Sequence, residues 1–139
     1  MSPKSFLLDE QLHAYLIAHT TGIDDIAHQL MEETAALGGI SGMQIAPEQG
    51  AFLSLLTAGV GARRVVEVGT FTGFSALCIA RALPADGRLL CLDVSAEWSA
   101  IAQRYWQAAG VTDRIALVLA PAAAVARLSL THNRRARIR

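Results

Sequence analysis

Arg64-Val65-Val66-Glu67-Val68-Gly69-Thr70-Phe71-Thr72-Gly73-Phe74-Ser75 is the stretch that decides the fold. Arg64 to Val68 is short, β-branched and followed by glycine, which reads as a buried strand. Thr72 to Leu83 carries Phe74, Leu77, Cys78 and Ile79 at helical spacing, and Pro84 closes it. A strand running through a glycine turn into a helix is the start of a βαβ unit.

The pattern continues downstream. Asp86-Gly87 is a turn, and Arg88 to Leu92 reads as a second strand. Ser95 is placed to cap a helix running to about Ala109, and Gly110 ends it. Ile115 to Leu119 is a third strand. Upstream, apolar periodicity predicts helices over residues 6–18, from Asp24 or Asp25 to Leu37, and from Pro47 to Gly59, with a loop over 40–46. The predicted fold is α/β: N-terminal helices, then β-α-β-α-β forming half of a Rossmann-like parallel sheet with right-handed crossovers.

A chain of 139 residues holds one domain of ordinary size. Its 53% hydrophobic content suits a parallel sheet covered on both faces. No apolar run approaches the roughly 20 residues of a membrane span, and the N-terminus lacks a secretory pattern, so a cytoplasmic protein with no membrane partner is expected. Cys78 and Cys91 lie in apolar segments without metal-type spacing and read as buried free thiols. His13, His19, His28 and His132 form no ligand pair, and no residue reads as a metal ligand. Formal charge sums to zero unevenly. All twelve acids but only seven of twelve basic residues precede Arg127, and five arginines follow from there. That basic end has no aromatic residue and no nucleic-acid motif, so 127–139 is expected to be a disordered tail rather than a nucleic-acid contact, beside a domain spanning 1–126.

The chemistry lies in the turn after the first strand. In open parallel sheets ligands sit at the carboxyl ends of the strands. Gly69 allows a sharp turn and leaves room for a ligand, and Gly73 lets the helix pack close. The helix N-terminus offers free N–H groups suited to a carboxylate, and Ser75 adds a hydroxyl. Glu67, at the end of an apolar strand, needs a cationic or well hydrogen-bonded partner. Asp93 ends the second strand, where an acid can accept hydrogen bonds from both ribose hydroxyls. A ligand with a carboxylate, an ammonium and a ribose fits this set, and S-adenosylmethionine has all three. A nicotinamide dinucleotide would call for Gly-x-Gly-x-x-Gly, whereas the spacing here is Gly-x-x-x-Gly, with Phe71 where that fingerprint has a glycine. Taken singly, each residue has a structural explanation: a turn glycine, a frayed strand end, a helix cap. Their joint occurrence on one βαβ unit points to the nucleotide-type cofactor.

Glu67 to Ser75 resembles the first motif of the caffeoyl-CoA O-methyltransferase-like family, which includes catechol-type enzymes among class I S-adenosylmethionine-dependent O-methyltransferases. Met43-Gln44-Ile45-Ala46-Pro47-Glu48-Gln49-Gly50, Leu83 to Gly87, Asp93 and Ala109-Gly110-Val111 fall at the family's positions too. The resemblance implies cofactor contacts at Ile45, Glu67, Gly69, Thr70, Ser75, Asp93 and Ala122, with Met43 on the substrate side. It implies methyl transfer to a small catechol- or caffeoyl-type hydroxyl acceptor, a homodimer, and a divalent cation, often Mg²⁺, that activates the acceptor. The family's metal ligands and catalytic lysine lie beyond the third strand, and this sequence shows neither segment, so no catalytic residue is assigned. The end of the chain reads as truncated, and the alternative expectation is a non-catalytic fragment that binds cofactor weakly or serves only in dimerisation.

Overall fold

The computed structural model describes residues 9–125. Ten residues, Glu10–His19, form helix α1; Asp25–Ala35 form α2 and Pro47–Gly59 form α3. Then come strand β1 at Arg64–Val68, helix α4 at Phe74–Ala82, strand β2 at Arg88–Asp93, helix α5 at Ala96–Ala108 and strand β3 at Ile115–Leu119. The strands pair in parallel in the order β1-β2-β3, as the alternation of strand and helix requires. The basic tail expected from Arg127, and the first turn expected of α1, fall outside the described residues.

Caps set the helix starts. Asp9 accepts a hydrogen bond from the Leu12 N–H at 2.8 Å, Asp24 from Ala27 at 3.0 Å, and Ser95 from Trp98 at 3.2 Å. Two expectations about turns and helix starts are corrected. Residues Gly38–Met43 form a 3₁₀ turn instead of a loop: left-handed Gly38 redirects the chain after α2, and the turn closes with the Gln44 N–H donating to the Ser41 carbonyl. Helix α4 starts at Phe74, two residues later than predicted, because Gly73 has φ +86° and cannot be helical.

The register stacks Val65, Leu89 and Ile115 in one row and Glu67, Cys91 and Leu117 in the next. These rows face the helices and join a core around Phe74, Leu77, Ala102 and Trp106. Helix α3 lies close on α4 because Gly50 has no side chain: a Cβ there would meet Phe74 and the Cys78 sulfur, each at 2.8 Å. Both thiols are buried. The expectation that β1 is a buried strand holds for one face only. Val66 and Val68 are 63% and 68% exposed, because β1 is an edge strand and, among the described residues, no helix covers that face.

Candidate functional site

Two adjoining cavities open where β1 and β2 end. The larger, about 440 Å³, is lined by Met43, Val68, Gly69, Phe71, Leu92, Asp93, Val94, Trp98, Ala120 and Ala122. The smaller, about 50 Å³, is lined by Met43, Gln44, Ile45 and the run from Gly69 to Ser75. They share Met43, Gly69 and Phe71. The larger is mostly apolar and falls within the size range of small-molecule sites, about 300–1,000 Å³.

The loop between them is built from backbone. Gly69, at φ +84°, turns the chain out of β1 while its N–H donates to the Leu92 carbonyl at 2.9 Å. Phe71 is also left-handed, at φ +51°. Gly73 closes the loop and precedes α4. Its carbonyl accepts from the buried Trp106 indole N–H at 3.0 Å.

Seven of the eight sequence-derived residues line these cavities: Met43, Ile45, Gly69, Thr70, Ser75, Asp93 and Ala122. Thr70 is buried, and its Oγ1 has no hydrogen-bond partner among the described residues. Glu67 lines neither cavity. It turns to the inner face of the sheet, where the Cys91 thiol lies 3.5 Å from Oε2. No ion pair joins it to a cation among the described residues. Desolvation therefore pushes its carboxyl above the ordinary value of 4.5. The polar side chains around it, Ser75 first, oppose that shift, and the Asp93 charge adds to it. Asp93 goes the other way. Burial alone would raise its pKa, but backbone N–H groups of Ser95, Phe71, Thr70 and Val94 outweigh burial and hold it below the ordinary value.

Sequence reasoning missed Trp98, Val94 and Phe71 as cavity walls. Phe71 and Trp98 meet edge to face, ring centres 5.1 Å apart at 76°. A readable signal for Trp98 was available: an aromatic residue in the first turn of the helix that follows Asp93.

A family profile described as O-methyltransferase matches residues 18–135. The chain belongs to this O-methyltransferase family. It is 36% identical to a caffeoyl-CoA O-methyltransferase of Populus kitakamiensis over 117 residues, which is 81% of this chain and 49% of that protein. It is 34% identical to a catechol O-methyltransferase of Niastella koreensis over 101 residues, 73% of this chain and 46% of that protein. The solved O-methyltransferase of Bacillus cereus in complex with SAH (S-adenosylhomocysteine) superposes with a TM-score of 0.76 at 28% identity, over 88% of this chain and 55% of that one. Streptomyces achromogenes TomG, an O-methyltransferase solved with SAM (S-adenosylmethionine), gives 0.70 at 27% identity, over 79% and 51%. The chain thus spans about half the length of the relatives it matches.

In this member of the family the cavities lie where open parallel sheets bind ligands, at the carboxyl ends of the strands. No helix among the described residues is long and apolar enough to cross a membrane. Nor do the described residues hold any group of three or more His, Cys, Asp or Glu that could bind a metal ion.

Proposed function

We propose that this O-methyltransferase holds S-adenosylmethionine across the two cavities and that the family reaction, methyl transfer to a small catechol- or caffeoyl-type hydroxyl, is the activity of the whole protein. The observation that carries the reading is the convergence of Met43, Ile45, Gly69, Thr70, Ser75, Asp93 and Ala122 on one adjoining pair of cavities. The residues fit the cofactor. The smaller, more polar cavity offers the free N–H groups of the α4 start, the Ser75 hydroxyl and the unpartnered Thr70 Oγ1 to a carboxylate and ammonium. Glu67 lies beneath that loop, an anion whose raised pKa a nearby ammonium would lower. The apolar cavity suits adenosine, with Trp98, Phe71, Val94 and Ala122 as walls and Asp93 at the ribose position. Bound there, the cofactor supplies a methyl group on a sulfonium, ready for displacement by an acceptor oxygen. Met43 touches both cavities and is exposed, which supports a place on the acceptor side.

The Mg²⁺ expected for the family finds no matching donor set among the described residues, and no step is derived through it. The buried free thiols suit a reducing compartment such as the cytoplasm. A homodimer is supported by the exposed ridge of Phe52, Leu55 and Leu56 along α3, continued by Val60 at its C-cap, and by the open edge of β1. Light scattering at tens of micromolar is expected to give a dimer that Leu55→Lys shifts towards monomer. A monodisperse wild-type monomer would refute it.

Calorimetric titration with S-adenosylmethionine, S-adenosylhomocysteine and NAD tests the cofactor reading. Binding of the two sulfur ligands and none of NAD is expected. Tighter binding of NAD overturns it.

A further inference from the structure

Asp93 is buried, with 9% of the residue exposed, and its carboxylate is surrounded by backbone donors. Oδ2 accepts from the Thr70 N–H at 2.7 Å and the Phe71 N–H at 2.8 Å. Oδ1 accepts from the Val94 N–H at 2.7 Å and the Ser95 N–H at 2.8 Å. A carboxylate offers about four lone-pair directions. Four N–H groups already use them, two from the glycine loop and two from the start of the β2–α5 connection.

The loop end of this bridge carries a conformation that opposes itself. Phe71 is the one non-glycine residue with positive φ among the described residues, and its Cβ disfavours that region. The same turn swings the Phe71 ring against Trp98 and so makes the aromatic wall of the larger cavity. Something must hold the strained turn when no ligand is present, and among the described residues the only side-chain acceptor bonded to the Thr70 and Phe71 amides is Asp93.

We propose that Asp93 is a positioning residue: it clasps the loop at Thr70 and Phe71 to the end of β2, keeps Phe71 left-handed, and preforms the aromatic wall before any ligand arrives. Its contribution to cofactor binding then runs chiefly through the loop, since a ribose hydroxyl reaching the carboxylate has to share an oxygen that already accepts two bonds. The binding part of this inference rests on the adenosyl ligand proposed above; the loop part does not.

The test has two arms on the full chain. In the first, amide hydrogen exchange is measured without ligand in wild type and Asp93→Asn. The Asn amide nitrogen donates and cannot accept, so two backbone N–H groups face another donor. Exchange at Thr70 and Phe71 is expected to rise at least about tenfold relative to the amides of Leu77 to Ala80, which report the core. If the Asn variant does not fold, Asp93→Glu keeps the charge, displaces the carboxylate by one methylene, and is expected to raise the same two rates. Unchanged rates at 70 and 71 overturn the clasp. In the second arm, S-adenosylhomocysteine and its 2′-deoxy and 3′-deoxy analogues are titrated into wild type and the variant. A positioning role predicts that the substitution weakens all three by the same factor, within about twofold. A loss confined to the ligand bearing both hydroxyls overturns it in favour of direct ribose contact. If wild type binds none of the three, the cofactor reading fails while the exchange arm still decides the clasp.

Discussion

Gly73→Ala should be far more costly than Gly69→Ala, although both glycines sit in the same loop at nearly the same φ, +86° and +84°. The backbone term is shared: a residue with a Cβ in the left-handed region costs about 1–2 kcal/mol. The surroundings differ. A Cβ on Gly69 meets no atom within 4 Å. On Gly73 it falls 2.5 Å from the Ala102 Cβ and 2.8 Å from the Trp106 Nε1. Neither neighbour can yield cheaply. Ala102 is fully buried and its Cβ is fixed to the α5 backbone, and the Trp106 indole is held by its bond to the Gly73 carbonyl. Relieving the contact means moving α5 off α4, an overpacking cost of about 1–3 kcal/mol. Gly73→Ala should therefore destabilise by about 2–5 kcal/mol and Gly69→Ala by about 1–2 kcal/mol. At about 4 °C per kcal/mol for a domain of this size, the melting temperature falls by about 8–20 °C and 4–8 °C respectively. Far-UV circular dichroism melts of the ligand-free chain measure both, with tryptophan emission as a second probe because Trp106 is buried. Gly73→Ala/Ala102→Gly removes the closest clash and should recover part of the loss despite about 1 kcal/mol for a helical glycine. If Gly73→Ala melts within about 2 °C of wild type, or no lower than Gly69→Ala, the close approach of α5 to the loop is wrong.

Glu67→Gln should weaken S-adenosylmethionine binding, measured by calorimetry, through loss of the negative charge beneath the loop, and unchanged affinity would remove Glu67 from the ammonium's surroundings. The same substitution should leave the ligand-free chain at least as stable as wild type at pH 7–8. Because the folded-state pKa of Glu67 is raised, its stabilising contribution is present below the unfolded value of 4.5 and is lost as pH rises through the folded value. Melts across pH 4–8 should show the variant's advantage shrinking towards pH 4, and an advantage that grows on acidification would contradict the burial of this carboxylate. Trp98→Ala should cost roughly 3- to 10-fold in donor affinity through lost stacking, with melting changed less than by Gly73→Ala; unchanged affinity would remove Trp98 from the wall. The chain of 139 residues should transfer no radiolabel from the methyl donor to a catechol acceptor above background with Mg²⁺ present, because the described residues hold no cluster to activate the hydroxyl. Chelator-sensitive turnover near one per second would refute that.

The strands were legible because each is a short apolar run closed by glycine or a turn, and β1 and β3 fall at the expected bounds. The glycine spacing was legible too, since Gly69 and Gly73 answer to two different physical needs that one sequence pattern records. What the sequence could not convey depends on contacts between distant positions. Asp93 reads as a ligand because its place at a strand end is visible, whereas its bonds to Thr70 and Phe71 cross 22 or 23 residues. Phe71 gives no hint of positive φ, because phenylalanine rarely adopts it and only the clasp and the Trp98 contact make it tenable. Glu67 reads as facing the ligand, yet strand alternation puts it on the same side as Val65, over the helices. The alternation was visible; which side carried helices was not, and the apolar Val66 and Val68 gave no sign of an open face.

Binding and catalysis draw on different parts of this fold. The residues assigned to the donor come from the 43–45 turn, the ends of β1 and β2, the first turns of α4 and α5, and the segment just after β3. These lie side by side because the strand order follows the chain order. The loop of the proposed donor site is held by Asp93 from one side and Trp106 from the other. The acceptor side has no such support. The polar end of the site, from Thr70 to Ser75, lies next to β1, whose outer edge pairs with no strand among the described residues. On the proposed reading, the space in front of the methyl group opens towards that edge. Preorganised electrostatic help is strong only where water is excluded. Changes at Gly73, Asp93 or Trp98 should thus act on donor affinity and loop order.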